Sequence, residues 1–127
     1  MKLRLQSNSI RLRLKRAEVD LLTKLGRVEE KIVLGSGEED VFSYALEASP
    51  KVFAPQASLK TGRILVELPV EAATRWAMGD DVGIETRLSI GDGRELHVLI
   101  EKDFACLNGS EEQNHDTFPN PLAGTKC

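Results

Sequence analysis

Cysteine, aromatic residues and long apolar runs are all scarce in this chain, and each shortage removes a class of protein. Cys106 and Cys127 are the only cysteines in 127 residues, too few for a disulfide framework to hold a small fold together. No apolar stretch reaches the roughly 18 residues of a membrane span or the roughly 7 to 15 of an export-signal core. Met1-Lys-Leu-Arg-Leu5 alternates polar and apolar residues instead. The expectation is a cytosolic protein with no membrane partner and with its cysteines as thiols. Aromatic residues make up 5% of the chain, so its core must be aliphatic. Neither of the two histidines lies at motif spacing from a Ser or Cys, so the sequence does not argue for nucleophilic catalysis. Gly35-Ser-Gly37 lacks the lysine and the length of a phosphate loop.

What remains suits one domain over residues 1–127, long enough to bury a core without staples. The formal charge of −3 conceals an asymmetry. Met1 to Gly35 carries 9 Lys or Arg against 4 Asp or Glu, whereas the rest carries 8 against 16. A basic first third can meet phosphates, or it can pair with the acidic remainder within one sheet.

Alternation at Lys2–Leu5 and Ser9–Leu14 predicts two half-buried strands with Leu3, Leu5, Leu12 and Leu14 on one face and cations on the other. Ser7-Asn8 interrupts them as a turn or bulge. A 3.6-residue period over Lys15–Leu25 predicts a helix whose apolar arc is Val19, Leu21, Leu22 and Leu25, with Glu18 in its first turn as a cap and Gly26 as its stop. Arg27–Leu34 and Val41–Ala48 follow as an antiparallel pair. The order then returns 54 positions later. Arg63–Leu68 precedes Pro69 and a short helix to about Met78, with Ala72, Ala73 and Trp76 toward the sheet, and Val82–Ile90 and Glu95–Lys102 close the unit around the turn Gly91-Asp92-Gly93. Aligning Leu3–Ala48 with Ala57–Lys102 gives seven identities in 46 pairs, at Leu5, Ile10, Leu14, Val28, Leu34, Gly37 and Glu47. The recurrence of turn residues and alternation in step is the signature of a duplicated unit. The units are residues 1–48 and 57–102, and residues 103–127 form an irregular tail with Phe104, Leu107 and Phe118 as anchors for docking on the domain.

If two βαββ units close into one curved antiparallel sheet or open barrel with both helices outside, the polar positions of several strands converge. They are Lys2, Arg4, Arg11, Arg13, Lys31, Glu47, Glu67, Glu85, Arg87, His97 and Glu101, with Arg27 and Glu29 beside them. Guanidinium groups grip phosphate oxygens in pairs and carboxylates hold a divalent cation, so such a lining would take a small phosphate-bearing anion and, as its one candidate cofactor, a divalent cation. Arg11 and Arg13 are the principal grips in this reading. The other reading makes the same strands a solvated face, used for DNA or protein contact; nucleic acid is the less favoured partner. Cys106, His115 and Cys127 are the remaining metal candidates, at a spacing that matches no zinc pattern.

Three resemblances follow from these residues. Lys2–Leu5, Asn8–Leu14, Glu101-Lys-Asp-Phe-Ala-Cys-Leu107 and Phe118-Pro-Asn-Pro121 together resemble an uncharacterised family of short bacterial proteins, over essentially the whole chain. That resemblance implies no activity. The tandem βαββ order is similar to the triphosphate-tunnel (CYTH-like) phosphohydrolases, which implies an antiparallel barrel and, were the chain an enzyme, hydrolysis of a phosphate-containing substrate. Those proteins carry Glu-x-Glu-x-Lys on the first strand, where this chain has Lys2-Leu-Arg4. Gly62–Pro69 and Gly79–Glu85 also resemble the swapped-hairpin DNA-binding domains of antitoxins and transition regulators.

Overall fold

A computed structural model describes residues 1–103 and 118. Leu3 stands opposite Leu12 and Leu5 opposite Ile10, so strands β1 (Lys2–Gln6) and β2 (Ser9–Leu14) form an antiparallel hairpin with one apolar face. Its turn is made at Ser7, whose φ of 50° is left-handed. Asn8 instead donates its side-chain N–H to the Glu95 carbonyl at 2.7 Å. Helix α1 (Arg16–Leu25) follows β2 and stops at Gly26, where a φ of 77° favours glycine and the backbone N–H bonds the Leu22 carbonyl. Of the predicted apolar arc, Val19 and Leu22 are buried, but Leu21 and Leu25 are 42% and 74% exposed, so the packed stripe is narrower than the period suggests.

Strands β3 (Arg27–Val33) and β4 (Val41–Ser49) pair antiparallel, as do β5 (Gln56–Lys60) with β6 (Arg63–Pro69) and β7 (Gly83–Gly91) with β8 (Arg94–Lys102). Helix α2 (Val70–Met78) lies between β6 and β7 and buries Ala73 and Trp76, with Ala72 half-buried. The chain is α+β, with two helices, but its strands do not make one antiparallel sheet or barrel. They form two mixed four-stranded sheets of order β1-β2-β8-β7 and β3-β4-β6-β5. The reason is two parallel pairings: β2 runs alongside β8, Ser9 beside His97, and β4 alongside β6, Ser43 beside Arg63. Each sheet thus joins an opening hairpin of one half to the closing hairpin of the other. The closed tunnel implied by the triphosphate-tunnel resemblance is absent from these strands; the inner faces meet in an apolar core, and an apolar pocket of about 390 Å³ lies between Leu5, Ile10, Ile90 and Leu96 of the first sheet and Ala57, Leu59 and Ile64 of the second. Leu12, Leu14, Val98 and Ile100 meet Leu46, Val66, Leu68, Val19, Leu22 and Trp76 in one buried cluster. Each such aliphatic side chain contributes about 1.5–3 kcal/mol relative to exposure.

The order of two strands, a helix and two strands occurs in both halves, but the register does not follow the 54-residue offset throughout. Val28 opposes Leu46, whereas Ile100, 54 positions after Leu46, is opposed by Ile84 and not by Val82. The longer link after α2, Gly79–Val82, displaces β7 by two residues. The identities of Val28 with Val82 and of Leu34 with Leu88 therefore do not mark shared places in the sheets.

Candidate anion-binding face

Cross-strand partners share a face of a sheet. Lys2 stands opposite Arg13 and Arg4 opposite Arg11; across the next seam Arg11 lies beside Leu99, Arg13 beside Glu101, and Ser9 beside His97. On the far side Arg87 opposes His97 and Glu85 opposes Leu99. Lys2, Arg4, Arg11, Arg13, Glu85, Arg87, His97 and Glu101 consequently occupy the outer face of the first sheet. The alternating residues Leu12, Leu14, Val98 and Ile100 are its buried inner face. The other three predicted positions lie apart. Lys31, Glu47 and Glu67 are on the outer face of the second sheet, where Glu47 stands between Arg27 and Glu67. No lumen collects the eleven, because all of them lie on the outer faces of two separate sheets.

Glu101 organises the first face. Its side chain is 14% exposed, and Oε1 accepts from Arg13 Nε at 3.0 Å and Nη2 at 2.9 Å, with Arg11 Nε 3.1 Å away. Lys2 Nζ lies 3.5 Å from Asp103, which is buried at the end of β8, and His97 Nε2 lies 2.7 Å from Glu85. Arg4 and Arg87 are exposed and, among the described residues, have no ion-pair or hydrogen-bond partner. Lys2, Arg4, Arg11 and Arg13 line an open groove of about 370 Å³ together with Leu3. A smaller hollow of about 170 Å³ adjoins it, lined by Arg4, Gln6, Ser9, Arg11 and His97 among others. Four cations over two carboxylates leave this strip positive, with guanidinium edges facing solvent. Ser9 stands beside His97, but its hydroxyl donates to the Gln6 carbonyl at 2.5 Å and not to the imidazole.

A second polar cluster escaped the sequence reading. The Met1 ammonium bonds Glu18 and, at 2.8 Å, Glu30, while the Tyr44 hydroxyl lies 2.8 Å from both Glu30 Oε2 and the Met1 carbonyl. Glu18 also accepts from the Lys15 backbone N–H at 2.9 Å, the capping role expected of it. Burial works to raise the Glu30 pKa, yet hydrogen bonds from the Met1 ammonium and Tyr44 outweigh it and hold the carboxyl below its ordinary value. Burial first, and then the Glu30 carboxylate, push Tyr44 up to about 12. The available signal was Glu30 itself, a carboxylate at the same parity as Val28 and Ile32 on β3.

Lys102 is likewise buried on the inner side. Its ammonium donates to the Gly79 carbonyl at 2.8 Å, just past the end of α2, and stands over the Trp76 and Phe118 rings. Phe118 bonds the Asp103 carbonyl through its backbone N–H at 2.8 Å and packs on the core, the contact expected of it as an anchor. The rest of the tail, with Cys106, His115 and Cys127, lies outside the described residues. Among the described residues no three His, Cys, Asp or Glu side chains converge as a metal site, and no helix is long and apolar enough to cross a membrane.

Compared with known proteins, residues 1–122 match a family described as a family of unknown function (DUF7009). No curated protein and no solved structure matches the chain.

Proposed function

The chain belongs to this family of unknown function, and from its own residues we propose that it binds a phosphate-bearing anion on the outer basic face of the first sheet. The observation that carries the reading is the groove in which Lys2, Arg4, Arg11 and Arg13 meet, with Arg4 unpaired among the described residues. An anion there replaces water around Arg4 and competes with Glu101 for Arg11 and Arg13, whose guanidinium groups offer paired donors to phosphate oxygens. In this reading the face holds its anion through positive charge and paired hydrogen bonds.

A second reading, contact with a nucleic-acid backbone, is favoured by one feature. The face is open, and each sheet exchanges hairpins between the two halves, the arrangement implied by the resemblance to swapped-hairpin DNA-binding domains; this reading takes the halves as copies of one unit. One experiment addresses both. Thermal shifts with ATP and with a mixed-sequence DNA duplex at low salt are measured on the unaltered chain and on an Arg11→Ala, Arg13→Ala double variant. Stabilisation by ATP that the double variant loses supports the small-anion reading. Stabilisation by the duplex alone replaces it with the second reading, and ATP stabilisation unchanged in the variant refutes the site.

A further inference from the structure

The second sheet carries a basic groove of its own that neither reading uses, and we infer that it is a separate oxyanion site centred on Arg63. Arg63 opens β6 and stands opposite Lys60; across the parallel seam it lies beside Ser43, which in turn opposes Lys31. These four residues form one row across all four strands. With strands about 4.8 Å apart, the two lysines flank a span of about 14 Å. Ser43, small and only 8% exposed, leaves a depression between the longer chains, and the groove above it measures about 510 Å³.

The guanidinium of Arg63 is under-used in this groove. Its Nε lies 3.1 Å from Glu29 Oε2, an ion pair, but the N–H is not aligned on the oxygen, and neither Nε nor Nη2 makes a hydrogen bond although both are shielded from solvent. Glu29 instead accepts from Arg27 Nη2 at 3.1 Å. Shielded donors without acceptors are unfavourable, and a small turn of the half-buried side chain toward an oxyanion over Ser43 gives both of them partners. Lys31 and Lys60, both exposed, supply the flanking positive charge; Glu29 and Glu38 on the rim leave the groove net positive. The ligand class is a compact tetrahedral oxyanion, phosphate or a phosphomonoester. No candidate metal-binding cluster accompanies it among the described residues.

The test is calorimetric titration of the full chain with inorganic phosphate at low ionic strength, where surface charge is least screened. The unaltered protein should take two equivalents. Arg63→Gln should take one, and so should Lys31→Gln, Lys60→Gln, a double variant at exposed positions that keeps the assay decisive should Arg63→Gln fail to fold. An Arg4→Gln, Arg11→Gln variant separates the two sites. One equivalent that survives it and disappears with Arg63→Gln upholds the Arg63 site while removing the first. A stoichiometry untouched by both the Arg63 and the lysine variants, or one equivalent lost only with Arg4 and Arg11, overturns the inference, as does the absence of any binding.

Discussion

Glu101→Gln separates the stability of the first face from its capacity for anions, because one carboxylate serves both. Glu101 is nearly buried and draws in Arg11 and Arg13, which are 37% and 35% exposed. A hydrogen bond to a charged group nets about 1.5–3 kcal/mol when buried. Solvent screening of the two arginines places the expected loss at the low end, about 1–2 kcal/mol, or a melting point lower by roughly 3–8 °C for a chain of this size. Anion affinity should move the other way. A carboxylate about 6 Å from a bound phosphate opposes it by roughly 1–3 kcal/mol for effective dielectrics between those of a protein surface and water. Its neutralisation should therefore tighten pyrophosphate binding by roughly five- to a hundredfold. Melting followed through Trp76, the only tryptophan, and titration calorimetry read the two quantities on the same sample. The reasoning fails if Glu101→Gln weakens binding while lowering stability, for then the carboxylate holds the arginines in place for some other purpose.

Two further predictions concern the buried polar groups. Tyr44 is the only tyrosine, so absorbance of its phenolate reports it directly, and its titration should be centred near 12 instead of near 10. The group is raised in the folded state, so its contribution to stability is complete below about pH 10 and is lost as pH rises toward 12. Tyr44→Phe should flatten that limb of the stability profile, and a phenolate titrating at the ordinary value would contradict the Glu30 contact. Lys102→Met keeps the side-chain volume but deletes the bond to the Gly79 carbonyl and the cation over two rings. Chemical denaturation should register a loss of about 1.5–3 kcal/mol, and an unchanged midpoint would mean that the ammonium does not cap α2.

Alternation made the faces legible in the sequence but not the neighbours. Arg11 and Arg13 point outward because Leu12 and Leu14 must point in, and that much follows from β2 alone. Their shared partner Glu101 is 88 residues from Arg13 and reaches it only through the parallel seam of β2 with β8. No local pattern announces such a seam, since half-buried strands alternate alike whichever way their neighbours run. One sheet was therefore expected to gather Lys31 and Arg11, and the two parallel pairings put them on different sheets.

The same pairing explains why Arg63 is inconspicuous in the sequence. In the sequence it opens a strand whose other outward residues, Leu65 and Glu67, are not basic, so β6 alone carries no cationic stripe. Its companions Lys60, Ser43 and Lys31 come from three other strands and align only once β4 lies parallel to β6 and antiparallel to β3. A site written across strands, with one residue from each, leaves almost no trace along any of them. The Lys2–Arg13 groove is written within a single hairpin and was legible for that reason. The exchange of hairpins that divided the predicted lumen is thus also what assembled the second basic row.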